Sequence, residues 1–250
     1  MDKPVRFSRL KSMARSPMHY QYELKHERED TKALRLGRAL DARIFGTTPV
    51  ACFDGQRRGK EWAAFAQANA GAICLNNGEA AQVNGMYESI MRRQDALDLL
   101  EGERQQVLHW SLSGRACQGT PDAFTDYRIV ELKTCRTSDP NRFVWDARRF
   151  GWNAQLSWYQ EGLLQSGRPR PDTAYIVAVE SIAPHPVTVF VLTDRALDQG
   201  NRTWRLWFER LRACEESDAW PAYVEQAVLF DVPEEDNGLS LLIGGEEVEV

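Results

Sequence analysis

No stretch of this 250-residue chain approaches the roughly 18 consecutive apolar residues of a membrane span, so no such helix is expected. The opening MDKPVRFSRL has no apolar core and does not read as a secretory signal. Cysteine is scarce: Cys52, Cys74, Cys117, Cys135 and Cys214 are odd in number and lack any CxxC spacing. That excludes a disulfide framework and a zinc knuckle, and fits a reducing cytoplasm. The four histidines, 19, 26, 109 and 185, show no metal-ligand spacing. A phosphate-binding loop is missing too: Gly55-Gln-Arg-Arg-Gly59-Lys60-Glu is one residue short and ends in Glu, so an ATP motor is not expected. There is no internal repeat, low-complexity tract or evident linker, and the length suits one large domain.

The chain also lacks a basic surplus, with 31 Lys and Arg against 36 Asp and Glu for a net charge of −5. The distribution matters more than the total. Residues 214–250 hold eleven acids and no base, which leaves the rest with a balance of +6. A mildly basic body with an acidic tail can still meet a polyanion, because the field in a groove is set by nearby charges.

Within that single domain the expected order is a mainly helical part (1–104), a sheet-bearing part (105–213) and the acidic tail (214–250). Ser16-Pro17 opens a helix, with Pro in the first turn. A second helix runs from Asp30 or Thr31 to Phe45, with Leu34, Leu36, Leu40 and Ile44 as its apolar positions and Gly46 as its stop. Helices follow over 57–70 and 78–100. Strands are expected at 105–113, 116–126 and 127–134, the last two joined by a turn at Asp126-Tyr127. A helix over 150–165, strands over 173–180 and 187–193, and a helix over 194–214 complete an α/β sandwich with a mixed central sheet.

The chemistry concentrates in Gly119-Thr-Pro-Asp122-Ala-Phe-Thr-Asp-Tyr-Arg-Ile-Val-Glu131-Leu-Lys133. Acid-x-Lys alone is weak, since Glu23-Leu-Lys25 and Asp30-Thr-Lys32 match it as well. The third copy ends an apolar β run and has a carboxylate one hairpin upstream. Residues i and i+2 of a strand share a face, so Glu131 and Lys133 point together. A turn centred on 126–127 places Asp122 opposite Glu131, with Cβ atoms roughly 4.5–5.5 Å apart. Adjacent carboxylates repel unless a proton or a cation intervenes. A hard divalent ion resolves that repulsion and carries phosphate oxygens as further ligands. The pattern therefore points to metal-assisted phosphodiester hydrolysis, with Lys133 orienting or deprotonating the water.

On these residues the chain resembles the PD-(D/E)xK nuclease superfamily. Within it, the chain is similar to phage and prophage exonucleases of the RecE (exodeoxyribonuclease VIII) type and, more distantly, to lambda exonuclease. Pro121-Asp122 and Glu131-Leu132-Lys133 match the signature. Gln155-Leu-Ser-Trp-Tyr159 matches the Gln-xxx-Tyr motif of the following helix, whose two residues share a face. Softer likeness extends from Ser8 through Ser16-Pro17 and Leu36-Gly37 to Val177–Glu180 and Trp220–Tyr223.

The resemblance implies a restriction-endonuclease-like α/β/α core, a mixed sheet flanked by helices. Asp122, Glu131, Lys133, Gln155 and Tyr159 are its catalytic residues. Mg²⁺, with Mn²⁺ able to substitute, is held by Asp122, Glu131 and the Leu132 carbonyl. Glu103 is the candidate further carboxylate, with Glu101 next. Many relatives carry a His where this chain has Asp41. Asp41 is a ligand, directly or through water, or else a helix-face acid paired with Arg38 or Arg43. Arg35, Arg38, Arg148 and Arg149 are the foremost candidates for DNA contact; Arg57, Arg58, Lys60 and Arg142 are further ones. The iron–sulfur relatives need three cysteines near the C-terminus, and only Cys214 lies beyond residue 135.

The implied activity is degradation of one strand of linear duplex DNA from an end, in phage-type recombination. It brings with it a RecT-like single-strand annealing partner, a ring-shaped homo-oligomer, no membrane, and the cytoplasm of a bacterial host. A structure- or sequence-specific endonuclease and a non-catalytic DNA-binding module are the alternatives.

Overall fold

The computed structural model describes residues 3–26, 29–224, 226–230, 240–243 and 246–249. In chain order the elements are β1 (Val5–Arg6), α1 (Phe7–Leu10), α2 (Pro17–Lys25), α3 (Lys32–Phe45), β2 (Val50–Phe53), α4 (Gly59–Ala68) and β3 (Ile73–Asn76). Then come α5 (Asn77–Met91), α6 (Gln94–Leu99), β4 (Glu103–Arg104), β5 (Leu108–Leu112), β6 (Arg115–Gly119), β7 (Ala123–Phe124) and β8 (Arg128–Cys135). The chain continues as α7 (Pro140–Phe150), α8 (Trp152–Gln165), β9 (Thr173–Glu180), β10 (Val187–Leu192), α9 (Asp194–Ser217), β11 (Ser240–Ile243) and β12 (Glu246–Glu249). No helix among the described residues is long and apolar enough to cross a membrane.

Local chemistry sets the helix ends. The Ser16 hydroxyl accepts from His19 N–H ahead of Pro17, and Thr31, not Asp30, accepts from Leu34 N–H to cap α3. Gly46 closes α3 in the left-handed conformation that a β-carbon disfavours.

The central sheet has the order β10-β9-β8-β7-β4. Only the β8–β9 pair is parallel, so the sheet is mixed, as expected. Alternation along its central strands divides the interior. Ile129, Ala174, Ile176 and Ala178 face α8 and α9, where they meet Leu156, Trp158, Trp204 and Phe208. Val130, Leu132, Val177 and Val179 face α3 and α5, where they meet Leu36, Leu40, Val83 and Met86. Each Val, Leu, Ile, Met or Phe among them, fully buried, contributes about 1.5–3 kcal/mol. Glu131 and Lys133 interrupt the apolar run on the α8 side.

Three expectations need correction. The helix expected over 78–100 is two, because Arg93 is extended (φ −107°, ψ 94°) and turns the chain so that Ala96 and Leu100 are buried. The strand expected over 116–126 is also two. β6 lies in a separate sheet with β1 and β5, and β7 lies in the central sheet. Thr120-Pro121 makes the transfer: proline cannot donate to a ladder, and Gly119 lets the backbone pass against α8, where a β-carbon would meet the Tyr159 ring at 2.7 Å. Finally, α7 and the parallel β2–β3 pair were not anticipated. The α7 signals are orthodox: Asp139 caps Asn141 and Arg142 N–H, Pro140 starts the first turn, and Gly151 ends the helix. The acidic stretch after Cys214 begins as the last turn of α9, and 231–239 lies outside the described residues.

Helices α8 and α9 cross closely at Gly200. A β-carbon there would lie 2.5 Å from Asn153 O and 2.8 Å from Ala154 N, both backbone atoms. Gly200→Ala is therefore expected to cost about 1–3 kcal/mol or more, read as a lower denaturation midpoint at unchanged slope.

Candidate active site

The β7–β8 register pairs Ala123 with Val130 and Phe124 with Ile129. Carried one residue outward, it sets Asp122 opposite Glu131, the pairing expected from the turn position. Asp122 Oδ2 accepts from Leu132 N–H at 2.8 Å, which pins the carboxylate across the strand gap. Glu131 and Lys133 share the α8 face, and Lys133 Nζ donates to Glu131 Oε1 at 2.7 Å. From α8, Gln155 closes the group. Its Oε1 accepts from Lys133 Nζ at 3.0 Å, and its Nε2 donates to Glu131 Oε1 at 2.8 Å and to Tyr159 Oη at 2.9 Å. Glu131, Lys133, Gln155 and Tyr159 thus form one hydrogen-bonded cluster, and Asp122 stands against it, coupled through charge to Glu131 and Lys133.

Asp122 and Glu131 are buried. Burial raises the Asp122 carboxyl well above its ordinary range, and the charges of Glu131 and then Asp41 push it further. Burial alone would discharge Lys133, but Glu131 and Asp122 outweigh it and hold the ammonium above its usual value. Tyr159 is pushed well up, first by burial and then by Glu131, so it stays a neutral phenol. Glu131 Oε2 is buried and has no hydrogen-bond partner among the described residues. An orphaned carboxylate oxygen is costly in a protein interior, and here it is an unused acceptor beside a second acid.

Asp41 joins the cluster from α3. That helix packs on β8 at Gly37, where a β-carbon would stand 3.3 Å from Thr134 Oγ1. Burial pushes the Asp41 carboxyl up to about 7, Lys133 opposes, and Glu131 adds to the rise. Among the described residues, no three His, Cys, Asp or Glu side chains stand close enough to cage an ion unaided.

The other expected site residues lie elsewhere. Glu103 pairs with Arg168 at 2.5 Å and stands across from Phe124, not Asp122. Glu101 pairs with Arg104. Arg35 is buried, with Nη2 on Glu79 Oε1 at 2.6 Å and Nη1 on Asp30 Oδ2 at 2.6 Å. It braces the capping box that starts α5, so its guanidinium is committed to the fold. Arg38 is 63% exposed, and Arg148 and Arg149 stand exposed in the last turn of α7.

One site residue went unnoticed in the sequence. Gln105 Nε2 donates to Asp122 Oδ1 at 2.7 Å, and its backbone N–H donates to Asp122 O at 3.1 Å. It occupies the position expected of Glu103, one strand over from Asp122, in a left-handed conformation (φ +50°) just past the two-residue β4. Nothing in its local sequence marks it. Because Gln105 orients the Asp122 carboxylate without titrating, Gln105→Leu is expected to cost roughly 10–100-fold in activity or metal affinity, with Gln105→Glu as the contrast in a turnover assay.

A central sheet carrying Asp122, Glu131 and Lys133, with Gln155 and Tyr159 on the covering helix, defines a PD-(D/E)xK-type α/β fold. The family model for the PDDEXK-like domain of unknown function (DUF3799) matches residues 6–232, and the chain belongs to that family. Among solved structures, it is similar to a "Putative exonuclease" from Eubacterium rectale, with TM-score 0.67 and 17% identity over 93% of this chain and 91% of that one. A phage-related exonuclease from Haemophilus somnus 129PT aligns at TM-score 0.38 and 12% identity, over 88% and 98% of the two chains. An alkaline exonuclease from Laribacter hongkongensis aligns at TM-score 0.34 and 15% identity, over 86% and 90%. No curated protein matches the sequence.

Proposed function

We propose that the chain is a divalent-metal-dependent deoxyribonuclease that degrades one strand of linear duplex DNA from an end. The observation that carries this reading is the unpartnered, buried Glu131 Oε2, beside Asp122 and under the ammonium of Lys133. The donor set is all oxygen: Asp122, Glu131 and the Leu132 carbonyl, with Asp41 near enough for its charge to be felt. It suits Mg²⁺, with Mn²⁺ able to substitute; with too few carboxylates for a closed cage, water and phosphate oxygens complete the shell. A bound ion would neutralise charge on the phosphate and lower the pKa of a bound water.

The remaining steps fall to the chain itself. Lys133, kept protonated by its acid neighbours, presents a positive charge and an oriented N–H to the phosphate or the water. Gln155 fixes both Glu131 and Lys133 through one amide, so the acid and the amine keep their separation. Tyr159, a neutral phenol, holds that amide by accepting from its Nε2. Asp122 is held by Gln105 and by Leu132 N–H. Such prepositioning removes reorganisation from the reaction step. Arg38, Arg148 and Arg149 are the surface cations we assign to the DNA backbone. The same reading takes a RecT-like annealing protein as partner and a ring-shaped homo-oligomer as the working form.

Purified protein given linear duplex and Mg²⁺ should release nucleotides and leave single-stranded product, with covalently closed circles untouched. Cleavage of closed circles would select an endonuclease instead. Tight DNA binding with no turnover in Mg²⁺ or Mn²⁺ would reduce the chain to a binding module.

A further inference from the structure

The segment joining the active-site lysine to its covering helix carries exposed aromatic and basic side chains around Trp152, a ring that packs on the edge of the core. Trp152, the first residue of α8, is half-buried, and Lys133 Nζ lies 5.9 Å from its ring centroid. Phe150, the last residue of α7, is 42% exposed and stacks on Trp152, with ring centroids 5.5 Å apart and planes 29° from parallel. Phe143 supports Trp152 from beneath at 5.1 Å, so that ring is braced from the core side. Arg149 lies over the Phe150 ring at 5.1 Å, and Arg148 lies near the ring of Trp145, itself 71% exposed. Among the described residues neither arginine has a carboxylate partner, so both charges remain uncompensated at the surface. A run of rings thus leads from the reaction centre to solvent, with fixed positive charge at its outer end.

This inference rests on the nuclease reading. We propose that Phe150 and Trp152 form a stacking platform for an unpaired base of the strand whose phosphate lies at Lys133, with Arg149 meeting an adjacent phosphate. Charge complementarity selects a polyanion, and a partly exposed aromatic pair selects a flat π-system that a paired, stacked base inside a duplex does not present. The platform therefore favours a frayed or single-stranded end. Exposed Phe on a basic helix end gains from such stacking whatever the base, so the contact discriminates strand state and not sequence.

The test uses the whole chain without divalent ion, so that binding is read apart from turnover. Duplexes carry 2-aminopurine in turn at each of the last three positions of one strand, paired or as an overhang. Fluorescence at one position should be quenched on binding, more strongly in the overhang. Phe150→Ala should abolish the quench and weaken overhang binding about tenfold, and Phe150→Tyr should restore both. An abasic residue at the quenched position should weaken binding by the native chain and leave binding by Phe150→Ala unchanged. Arg149→Gln, a surface change that leaves the core intact, should lower the slope of log affinity against log salt by about one. A Phe150→Ala protein of native melting behaviour that still quenches and binds as before would overturn the platform, as would an Arg149→Gln protein of unchanged salt slope. Cleavage by the native chain in Mg²⁺ is scored separately. Quenching without any cleavage would sink the nuclease reading, and cleavage without quenching would sink the platform alone.

Discussion

Lys133→Met is expected to lower metal-dependent strand degradation by about 10²–10⁴-fold, the range for removing a positioned proton-transfer or charge-stabilising group. Among the described residues Lys133 is the cation that offsets the charges of Asp41, Asp122 and Glu131, and its ammonium touches both Glu131 Oε1 and Gln155 Oε1. Met keeps the length and apolar stem but removes the charge and the donors. Glu131 is then left with Gln155 as its donor, and the repulsion among Asp41, Asp122 and Glu131 is no longer offset. Arginine is not a safe replacement, because its planar fork cannot occupy the space between a carboxylate and an amide as a compact ammonium does. Gln155→Leu should fall in the same direction by a smaller factor, since it removes the shared amide and leaves the charges. Turnover of an end-labelled duplex under single-turnover conditions separates the two variants. Undiminished turnover in Lys133→Met would remove the foundation of the proposed chemistry.

The second large effect is thermal. At a Mg²⁺ concentration 100 times its dissociation constant, stability should rise by about 2.7 kcal/mol. For a chain of this size that is about 5–10 °C in Tm. Glu131→Gln should abolish the rise, because it removes the charge from the unpartnered oxygen. The pH dependence has a definite sign. Asp41 stands at about 7 in the fold against an ordinary value of 3.8, so between those limits the folded chain holds a proton that the unfolded chain has lost. Protonated Asp41 is the better-tolerated form, and stability of the metal-free protein must therefore fall as pH rises from about 4 to 7. A divalent ion competes for the same carboxylates, so the Mg²⁺-induced rise in Tm should be larger at pH 8 than at pH 6. Asp41→Asn should flatten the metal-free slope. Differential scanning calorimetry across this pH range, with and without Mg²⁺, measures all three. A flat metal-free profile combined with no response to Mg²⁺ would count against a carboxylate-held ion.

Much of the site was legible because its central piece is local. Four residues separate Phe124 from Ile129, so the turn alone imposes the pairing of Asp122 with Glu131. The period of a strand then puts Lys133 beside Glu131, and the period of a helix puts Gln155 beside Tyr159. Other features were readable and were missed. Asp139-Pro140 and Gly151 announce α7 by the same rules that revealed α2 and α3. Glu103 and Gln105 were not separable by pattern, because the choice depends on a register between strands nearly twenty residues apart and on one left-handed residue. Arg35, a candidate for DNA contact in the sequence, is buried instead. Its burial follows from Glu79, forty-four residues away, whose carboxylate is drawn in by the cap of α5.

By itself, then, the sequence determined the hairpin that aligns two acids and an amine, the caps that start the long helices, and the alternation that gives the central sheet two apolar faces. These are contacts between near neighbours, ruled by backbone periodicity and turn chemistry. Docking of distant elements was needed for Gln105 to steady Asp122, for Asp41 to approach the cluster, for Arg35 to become a brace, and for Phe150 and Trp152 to stand together beside Lys133. Those outcomes depend on how helices and sheets dock across many residues of intervening chain, where packing and burial, not local preference, select the neighbours.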